Sequence, residues 1–111
     1  MGGYSRGALV TVALQGDYGK PRPAVVIQAD YYADLGTVVL LPVTSTLTDA
    51  PLLRLTLDPS EDNNLRQRSQ VMMDKPVTVK RDKLGPVFGN LTSEEMLRIN
   101  RSLMVILGIA A

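Results

Sequence analysis

The sequence predicts a mainly β protein of the α+β class, a small barrel of about six short strands followed by one C-terminal amphipathic helix. Short runs of apolar and β-branched residues recur at near-regular spacing along the first 79 residues, separated by Gly, Pro, Asp and Asn clusters. A single stripe of apolar residues at helical spacing follows near the C-terminus. With 111 residues, the chain is expected to form one domain, residues 1–111.

The first three strands are predicted at residues 8–14, 24–27 and 37–41. Residues 24–27 form a short β-branched run, and the two prolines at 21 and 23 keep Lys20 and Arg22 extended in front of it. After Thr37, residues 38–41 are all apolar, so this strand is apolar on both faces, which is typical of a central strand. The turn at 15–19 is a candidate flap over whatever Arg22 contacts, although an ordinary mobile hairpin loop fits it equally well.

Three further strands are predicted at residues 52–57, 69–73 and 77–79. The first of them alternates leucine with polar residues, as a half-exposed strand does. Pro76 interrupts the last two, which a strand tolerates at an edge or a bulge.

The helix is predicted from its ends as well as from its stripe. Thr92 can cap it, Glu95 completes a capping box, and Leu91 can contact Met96 as a hydrophobic staple. Gly108 is suited to the position just after the last turn.

The composition excludes several kinds of chemistry. The 12 basic and 11 acidic residues leave a net charge of +1, which argues against a long nucleic-acid groove but permits a short substrate held locally. The chain has no cysteine and no histidine, so it lacks thiolate and imidazole chemistry and the metal sites that depend on them. No spacing of carboxylates suggests a metal, and we expect no cofactor.

The cellular location is predicted only from what the sequence lacks. Residues 1–4 do not resemble a signal peptide, and no apolar run approaches the roughly 20 residues of a membrane span. We therefore expect a cytoplasmic protein that does not bind a membrane.

The polar groups most suited to chemistry are Arg22 at a strand start, Thr44 and Ser45 at a strand end, and Asp74 between two strands. A planar guanidinium and a hydroxyl together can hold a phosphate. Asp74 is the natural candidate for a base, with an ordinary turn residue as the alternative. If strands two and three are neighbours, Arg22 and Thr44 are expected near opposite ends unless the barrel bends them together.

Several segments, in this order, carry a family resemblance. They are Arg6-Gly7, the Arg-Pro-Ala-Val-Val run at 22–26, the Pro-Val-Thr-Ser run at 42–45, residues 69–78, and Leu84 with Gly89 before the helix. Together they resemble the MazF/PemK/Kid toxins. The resemblance implies an SH3-like barrel with a C-terminal helix, a fold that CcdB shares, working as a homodimer. It also implies a cognate antitoxin whose flexible acidic tail covers the RNA groove.

The resemblance also assigns roles to individual residues. The catalytic arginine and threonine of the family fall on Arg22 and Thr44, and the Asp-Lys-Pro-Val-Thr run at 74–78 matches the stretch in which an aspartate serves as base. That branch has an arginine two residues before the aspartate, where this chain has Met72; in the first strand, Ala8 and Thr11 also depart from the family pattern. The residues expected to contact RNA are Ser45, Lys20, Tyr18, Ser69 and Lys75.

The function implied is that of a metal-independent endoribonuclease that cuts single-stranded RNA and so inhibits translation and growth. Attack of a ribose 2′-hydroxyl would give a 2′,3′-cyclic phosphate and a 5′-hydroxyl. The alternative is a non-enzymatic gyrase poison resembling CcdB, whose C-terminal Trp-Gly-Ile is not matched here because Leu107 precedes Gly108 and Ile109. A barrel that only binds RNA or protein is a second alternative.

Overall fold

A computed structural model describes residues 4–14 and 20–110 of the chain, and within them it has seven strands and one α-helix. The elements are β1 Ala8–Val12, β2 Arg22–Val26, β3 Thr37–Thr44, β4 Arg54–Leu57, β5 Ser69–Met72, β6 Val77–Lys80, β7 Leu84–Asn90 and α1 Ser93–Ile106. The predicted class is confirmed, a mainly β protein with a C-terminal helix. Among these residues there is no helix long and apolar enough to cross a membrane.

The seven strands form one sheet of antiparallel pairs, and β3 is its central strand. The order is β4-β5-β3-β2-β1-β7, with β6 paired to β3 outside this path. Because β3 is eight residues long, its first half pairs with β6 and its last two residues, Val43 and Thr44, pair with β5. The C-terminal end of β3 is therefore enclosed by β2 on one side and β5 on the other.

Two apolar clusters lie on opposite faces of the central strands, because side chains alternate along a strand. Leu9, Val25 and Leu41 belong to the first cluster, which also contains Ile99 and Leu103 of α1. The neighbouring residues on the same strands, including Val10, Ala24 and Leu40, belong to the second cluster. The expectation that β3 is apolar on both faces is thus confirmed.

The helix ends as its sequence predicts. The Thr92 hydroxyl accepts the Glu95 N–H at 3.1 Å, and the Glu95 carboxylate accepts the Thr92 N–H at 2.8 Å, which completes the capping box. At the other end Gly108 has φ +75°, and the N–H of Ile109 donates to the Met104 carbonyl at 2.8 Å. This is the left-handed glycine termination expected at that position.

The sequence analysis missed β7, the strand at the β1 edge of the sheet. Its Gly85, Pro86 and Gly89 are residues that strand patterns lack, so the segment looked like a loop. An edge strand tolerates Pro86 because the missing N–H is not needed for a second neighbour. Gly89 lies so close to another segment that a Cβ there would be 2.5 Å from the Asn63 carbonyl oxygen. Close packing, and not strand propensity, therefore fixes glycine at that position.

Candidate active site

Arg22 and Thr44 lie at the same end of the β2–β3 pair. The register pairs Val26 with Leu40 and Ala24 with Pro42, so the start of β2 at Arg22 and the end of β3 at Thr44 lie beyond the same end of this ladder. The expectation that these two residues lie near opposite ends was wrong, because the start of one antiparallel strand adjoins the end of its neighbour.

Thr44 belongs to a line of residues that crosses the sheet on one face. Val12 pairs with Arg22 on one side, Thr44 pairs with Gln70 on the other, and Gln70 pairs in turn with Thr56. Directly paired residues project to the same face. We call the four polar members, Arg22, Thr44, Gln70 and Thr56, the polar row.

Arg22 is exposed at the first position of β2. Pro21 and Pro23 flank it and restrict the backbone on both sides, so the backbone position from which its side chain starts is fixed. Lys20, two residues earlier, is also exposed. The mouth of β2 therefore presents two cationic side chains.

Thr44 is half-buried, and its hydroxyl has a defined orientation. Its Oγ1 accepts the N–H of Thr46 at 3.1 Å. A hydroxyl that accepts one hydrogen bond still has its own hydrogen to donate. Thr44 can thus donate to a phosphate oxygen while its oxygen is held by the chain. Ser45 is exposed beside it.

Gln70 is buried, with 6% of its surface exposed, and its side chain forms hydrogen bonds to Thr48 and to Thr56. Its Nε2 donates to the Thr48 carbonyl at 3.0 Å and to the Thr56 Oγ1 at 3.2 Å, and its Oε1 accepts the Thr48 N–H at 3.0 Å. The sequence analysis missed Gln70 and Thr56. The sequence carries little signal for either, because Ser69 precedes Gln70 in β5 and Thr56 belongs to a strand that alternates leucine with polar residues.

Asp74 lies in the turn between β5 and β6, where it contacts two cations. Arg54 Nη1 donates to Asp74 Oδ1 at 2.6 Å, and Lys75 Nζ lies 3.6 Å from Asp74 Oδ2. Arg54 pairs with Met72 in the β4–β5 register. The position two residues before Asp74 holds Met72 and not an arginine. The guanidinium that contacts Asp74 comes instead from Arg54 in the neighbouring strand β4.

The pKa of Asp74 is lowered from its ordinary value of 3.8. Partial desolvation raises it, but the Arg54 hydrogen bond, a backbone hydrogen bond and the charges of Arg54 and Lys75 together outweigh that effect. The carboxylate is consequently ionised throughout the neutral range.

The remaining predicted residues are not all brought together. Asp74 lies in the turn two residues beyond the end of β5, so the register does not place it beside Arg22 and Thr44. Ser69 is buried, and its hydroxyl donates to the Gln67 carbonyl at 2.9 Å, whereas Lys75 is exposed. Tyr18 and the candidate flap at 15–19 lie outside the described residues.

No three carboxylate, histidine or cysteine side chains converge on a potential metal site in residues 4–14 and 20–110. Within the polar row, the Arg22 guanidinium and the Thr44 hydroxyl are donors suited to an anion, whereas the Gln70 amide donates to Thr48 and Thr56. With the nearby Lys20, the first two groups suit a phosphate.

The chain matches known proteins over nearly its whole length. A family model described as PemK-like, MazF-like toxin of type II toxin–antitoxin system matches residues 5–107. A protein of Mycolicibacterium smegmatis (strain ATCC 700084 / mc(2)155) named probable endoribonuclease MazF is 42% identical over 106 residues, covering 95% of this chain and 97% of its own length.

Two solved structures have the same fold. One is a mycobacterial endoribonuclease in complex with its cognate antitoxin, with a TM-score of 0.81, 24% identity, and coverage of 97% of this chain and 98% of that one. The other is the Mycobacterium tuberculosis toxin MazF-mt6, with a TM-score of 0.80, 20% identity, and coverage of 94% and 99%. The chain belongs to the family of PemK-like, MazF-like toxins of type II toxin–antitoxin systems.

Proposed function

We propose that this chain is the toxin of a type II toxin–antitoxin system and an endoribonuclease that cleaves single-stranded RNA in the cytoplasm. Cleavage of messenger RNA would stop translation and growth. Support comes from the family match over residues 5–107 and from the 42% identical relative that is named an endoribonuclease. Residues 1–111 act as one toxin domain, without a metal or cofactor.

The observation that supports the proposal is that Arg22 and Thr44 lie at the same end of the antiparallel β2–β3 pair, where Arg22 and Ser45 are exposed. A phosphate at this point would receive the planar fork of Arg22 and the hydroxyl of Thr44, with Ser45 beside them. These donors favour the extra negative charge that develops on the phosphorus oxygens in the transition state. Lys20 and Lys75 would contact neighbouring phosphates, and Ser69 and Tyr18 stay predictions for contacts with the RNA.

The proposed reaction uses a nucleophile that RNA itself supplies. The 2′-oxygen forms a bond to the adjacent phosphorus, the bond from phosphorus to the 5′-oxygen breaks, and the products are a 2′,3′-cyclic phosphate and a 5′-hydroxyl. The proton leaves the 2′-hydroxyl, and the departing 5′-oxygen gains one. Because nucleophile and phosphorus belong to one nucleotide, the attack is intramolecular and needs mainly orientation and charge stabilisation.

Asp74 is the group we propose to accept the 2′-hydroxyl proton. Its lowered pKa keeps it ionised at neutral pH, as a base must be, but also makes it a weak base. It is hydrogen-bonded to Arg54 and separated from the polar row along β5. We therefore expect Asp74 to contribute less to cleavage than Arg22 or Thr44.

We further propose a homodimer and a cognate antitoxin with a flexible acidic tail. Apolar side chains stay exposed near the end of α1, at Val105, Leu107 and Ile109, and at Val87 in the edge strand β7, which favours a protein partner. One structural relative is a complex of an endoribonuclease with its antitoxin. An acidic tail would complement the cationic mouth of β2, where RNA phosphates would also bind.

The gyrase-poison alternative is not favoured. The family match and the named relative are those of an endoribonuclease toxin, and the chain lacks tryptophan. A barrel that only binds RNA or protein would not cleave single-stranded RNA.

The proposal predicts cleavage of a single-stranded RNA in excess EDTA, leaving a cyclic phosphate. A matched RNA with one 2′-deoxy nucleotide immediately 5′ of the cut bond should bind with similar affinity and resist cleavage at that bond, because the nucleophile is missing. Mass spectrometry of the fragments identifies both products and positions. A strict magnesium requirement, a 5′-phosphate product or continued cutting at the deoxy position would contradict the mechanism.

A further inference from the structure

Gln70 is the buried member of the polar row, and the proposed cleavage reaction gives it no role. It pairs directly with Thr44 across the β3–β5 ladder, with 6% of its surface exposed. Burying a primary amide is costly unless its donors and acceptor are satisfied. Here both ends of the amide hold the backbone of one residue, Thr48, through its carbonyl and its N–H.

Thr48 belongs to the segment in which the chain leaves the sheet after Thr44. Residues 45–49 are exposed and belong to no strand or helix, so the ladder does not hold them. Two contacts return the segment to the sheet: the Thr46 N–H donates to the Thr44 hydroxyl, and Gln70 holds Thr48. The first contact orients the hydroxyl of Thr44, and the second fixes the far end of the same turn.

We propose that Gln70 is a positioning residue that holds the turn after β3 so that Thr44 and Ser45 face the scissile phosphate. This inference rests on the role proposed for Thr44 above. Gln70 is not placed in contact with substrate, because its amide is buried and committed to Thr48 and Thr56. A displacement of about 1 Å in a reacting or stabilising group can reduce the rate about a hundredfold. A single buried amide can thus influence catalysis through geometry.

The chain offers a matched control in Gln28. Its Nε2 donates to the carbonyls of Tyr32 at 2.9 Å and Thr37 at 3.2 Å, and its Oε1 accepts the Val39 N–H at 3.2 Å. Gln28 follows β2, so it lies at the end of the β2–β3 pair opposite to Arg22 and Thr44. Both glutamines make three hydrogen bonds that join a loop to a strand, but only Gln70 belongs to the polar row.

The test compares Gln70→Met, Gln28→Met, Thr44→Val and the double variant Gln70→Met/Thr44→Val on one single-stranded RNA that the wild type cleaves. We expect Gln70→Met to lower kcat about tenfold to a hundredfold with KM changed less than about threefold, because positioning is lost while the cationic contacts stay. Gln28→Met should keep the wild-type kcat. The double variant should be slower than Thr44→Val by much less than the full Gln70 effect, since Gln70 acts mainly through the turn that carries Thr44.

Gln70→Glu separates positioning from general damage to the fold. It keeps the acceptor for the Thr48 N–H and loses the two donors, so we expect a kcat between those of the wild type and Gln70→Met. Circular dichroism confirms that each variant is folded, and Gln70→Glu carries the comparison alone if Gln70→Met does not fold.

Three outcomes would overturn the inference while leaving the proposed function intact. They are a wild-type kcat in the Gln70 variants, an equal loss in Gln28→Met, and a double variant slower than Thr44→Val by the full Gln70 effect. An undiminished kcat in Thr44→Val would instead contradict the proposed function itself.

Discussion

The two ends of the β2–β3 pair are built from the same residue types but present them differently. At one end Gln28 and Arg81 hold backbone, Arg81 donating from Nε and Nη2 to the Leu35 carbonyl at 3.1 and 2.9 Å. At the other end Gln70 holds backbone, whereas Arg22 is exposed at the start of β2, at the same end of the pair as Thr44.

The difference between Arg81 and Arg22 shows which features make a strand end a candidate site. The Arg81 guanidinium holds the Leu35 carbonyl and is a structural group, whatever its charge. Arg22 instead stands on a proline-stiffened strand start, at the same end of the strand pair as the oriented hydroxyl of Thr44, and a planar guanidinium there suits an anion. Both residues are arginines, so their different positions relative to β3 account for the different roles assigned to them.

Exchanging each arginine for lysine should separate the two ends most strongly. Arg22→Lys keeps the charge but loses the planar fork, so we expect cleavage to fall about a thousandfold with the fold retained. Arg81→Lys should leave the cleavage rate unchanged and lower only the thermal stability. Single-turnover cleavage of one RNA, with circular dichroism of both variants, makes the comparison. Equal cleavage rates for the two variants would remove the functional distinction between the ends.

Asp74 combines the two kinds of role, because it forms an ion pair with Arg54 that joins β4 to the turn after β5 and is also proposed to accept the 2′-hydroxyl proton. Asp74→Asn should slow cleavage by about tenfold or less, a smaller loss than for Arg22→Lys. Near pH 7 it should also lower the free energy of unfolding by about 1.5 kcal/mol through the weakened Arg54 pair. Since the folded-state pKa lies below 3.8, that stabilisation is complete above the unfolded-state pKa and is lost as pH falls through the folded-state value.

Urea unfolding of the wild type and Asp74→Asn at about pH 7 and at about pH 3 tests the linkage. The stability difference between the two proteins should shrink at the lower pH. A difference that is constant or grows with acidity would show that the Arg54 pair does not favour the ionised carboxylate. A loss of cleavage as large as that of Arg22→Lys would move Asp74 from a supporting to a principal role.

The sequence predicts which residues belong to the candidate site better than it predicts how those residues are arranged in space. The proline-flanked Arg22, the strand end at Thr44 and the capped helix are local features, and local features can be read from neighbouring residues. The location of Arg22 and Thr44 at the same end depends on strand direction, and the expectation from the sequence was wrong. Arg54 reaches Asp74 from 20 residues away, and Gln70 holds Thr48 across 22. Such partners follow only once the strand order is known.

The fold shows the same limit. Six strands have the periodicity that their burial requires, and each was predicted with small errors at its ends, the largest at β3, which continues to Thr44 instead of ending at residue 41. The seventh strand, β7, is set by close approach at Gly89 and by pairing with β1 across more than 70 residues. Neither constraint leaves a periodic pattern in the sequence.

The central claim, that RNA phosphate binds at the Arg22–Thr44 end of β2–β3, is tested most directly by NMR. A single-stranded RNA carrying a 2′-deoxy nucleotide at the cut position binds without being cleaved, so it can be titrated into the ¹⁵N-labelled wild-type protein. We expect the largest amide shift changes at Thr44, Ser45 and Thr48, with Gln28 and Val39 at the far end unchanged. Shift changes concentrated at Gln28 and Val39, with Thr44 and Ser45 unaffected, would contradict the claim.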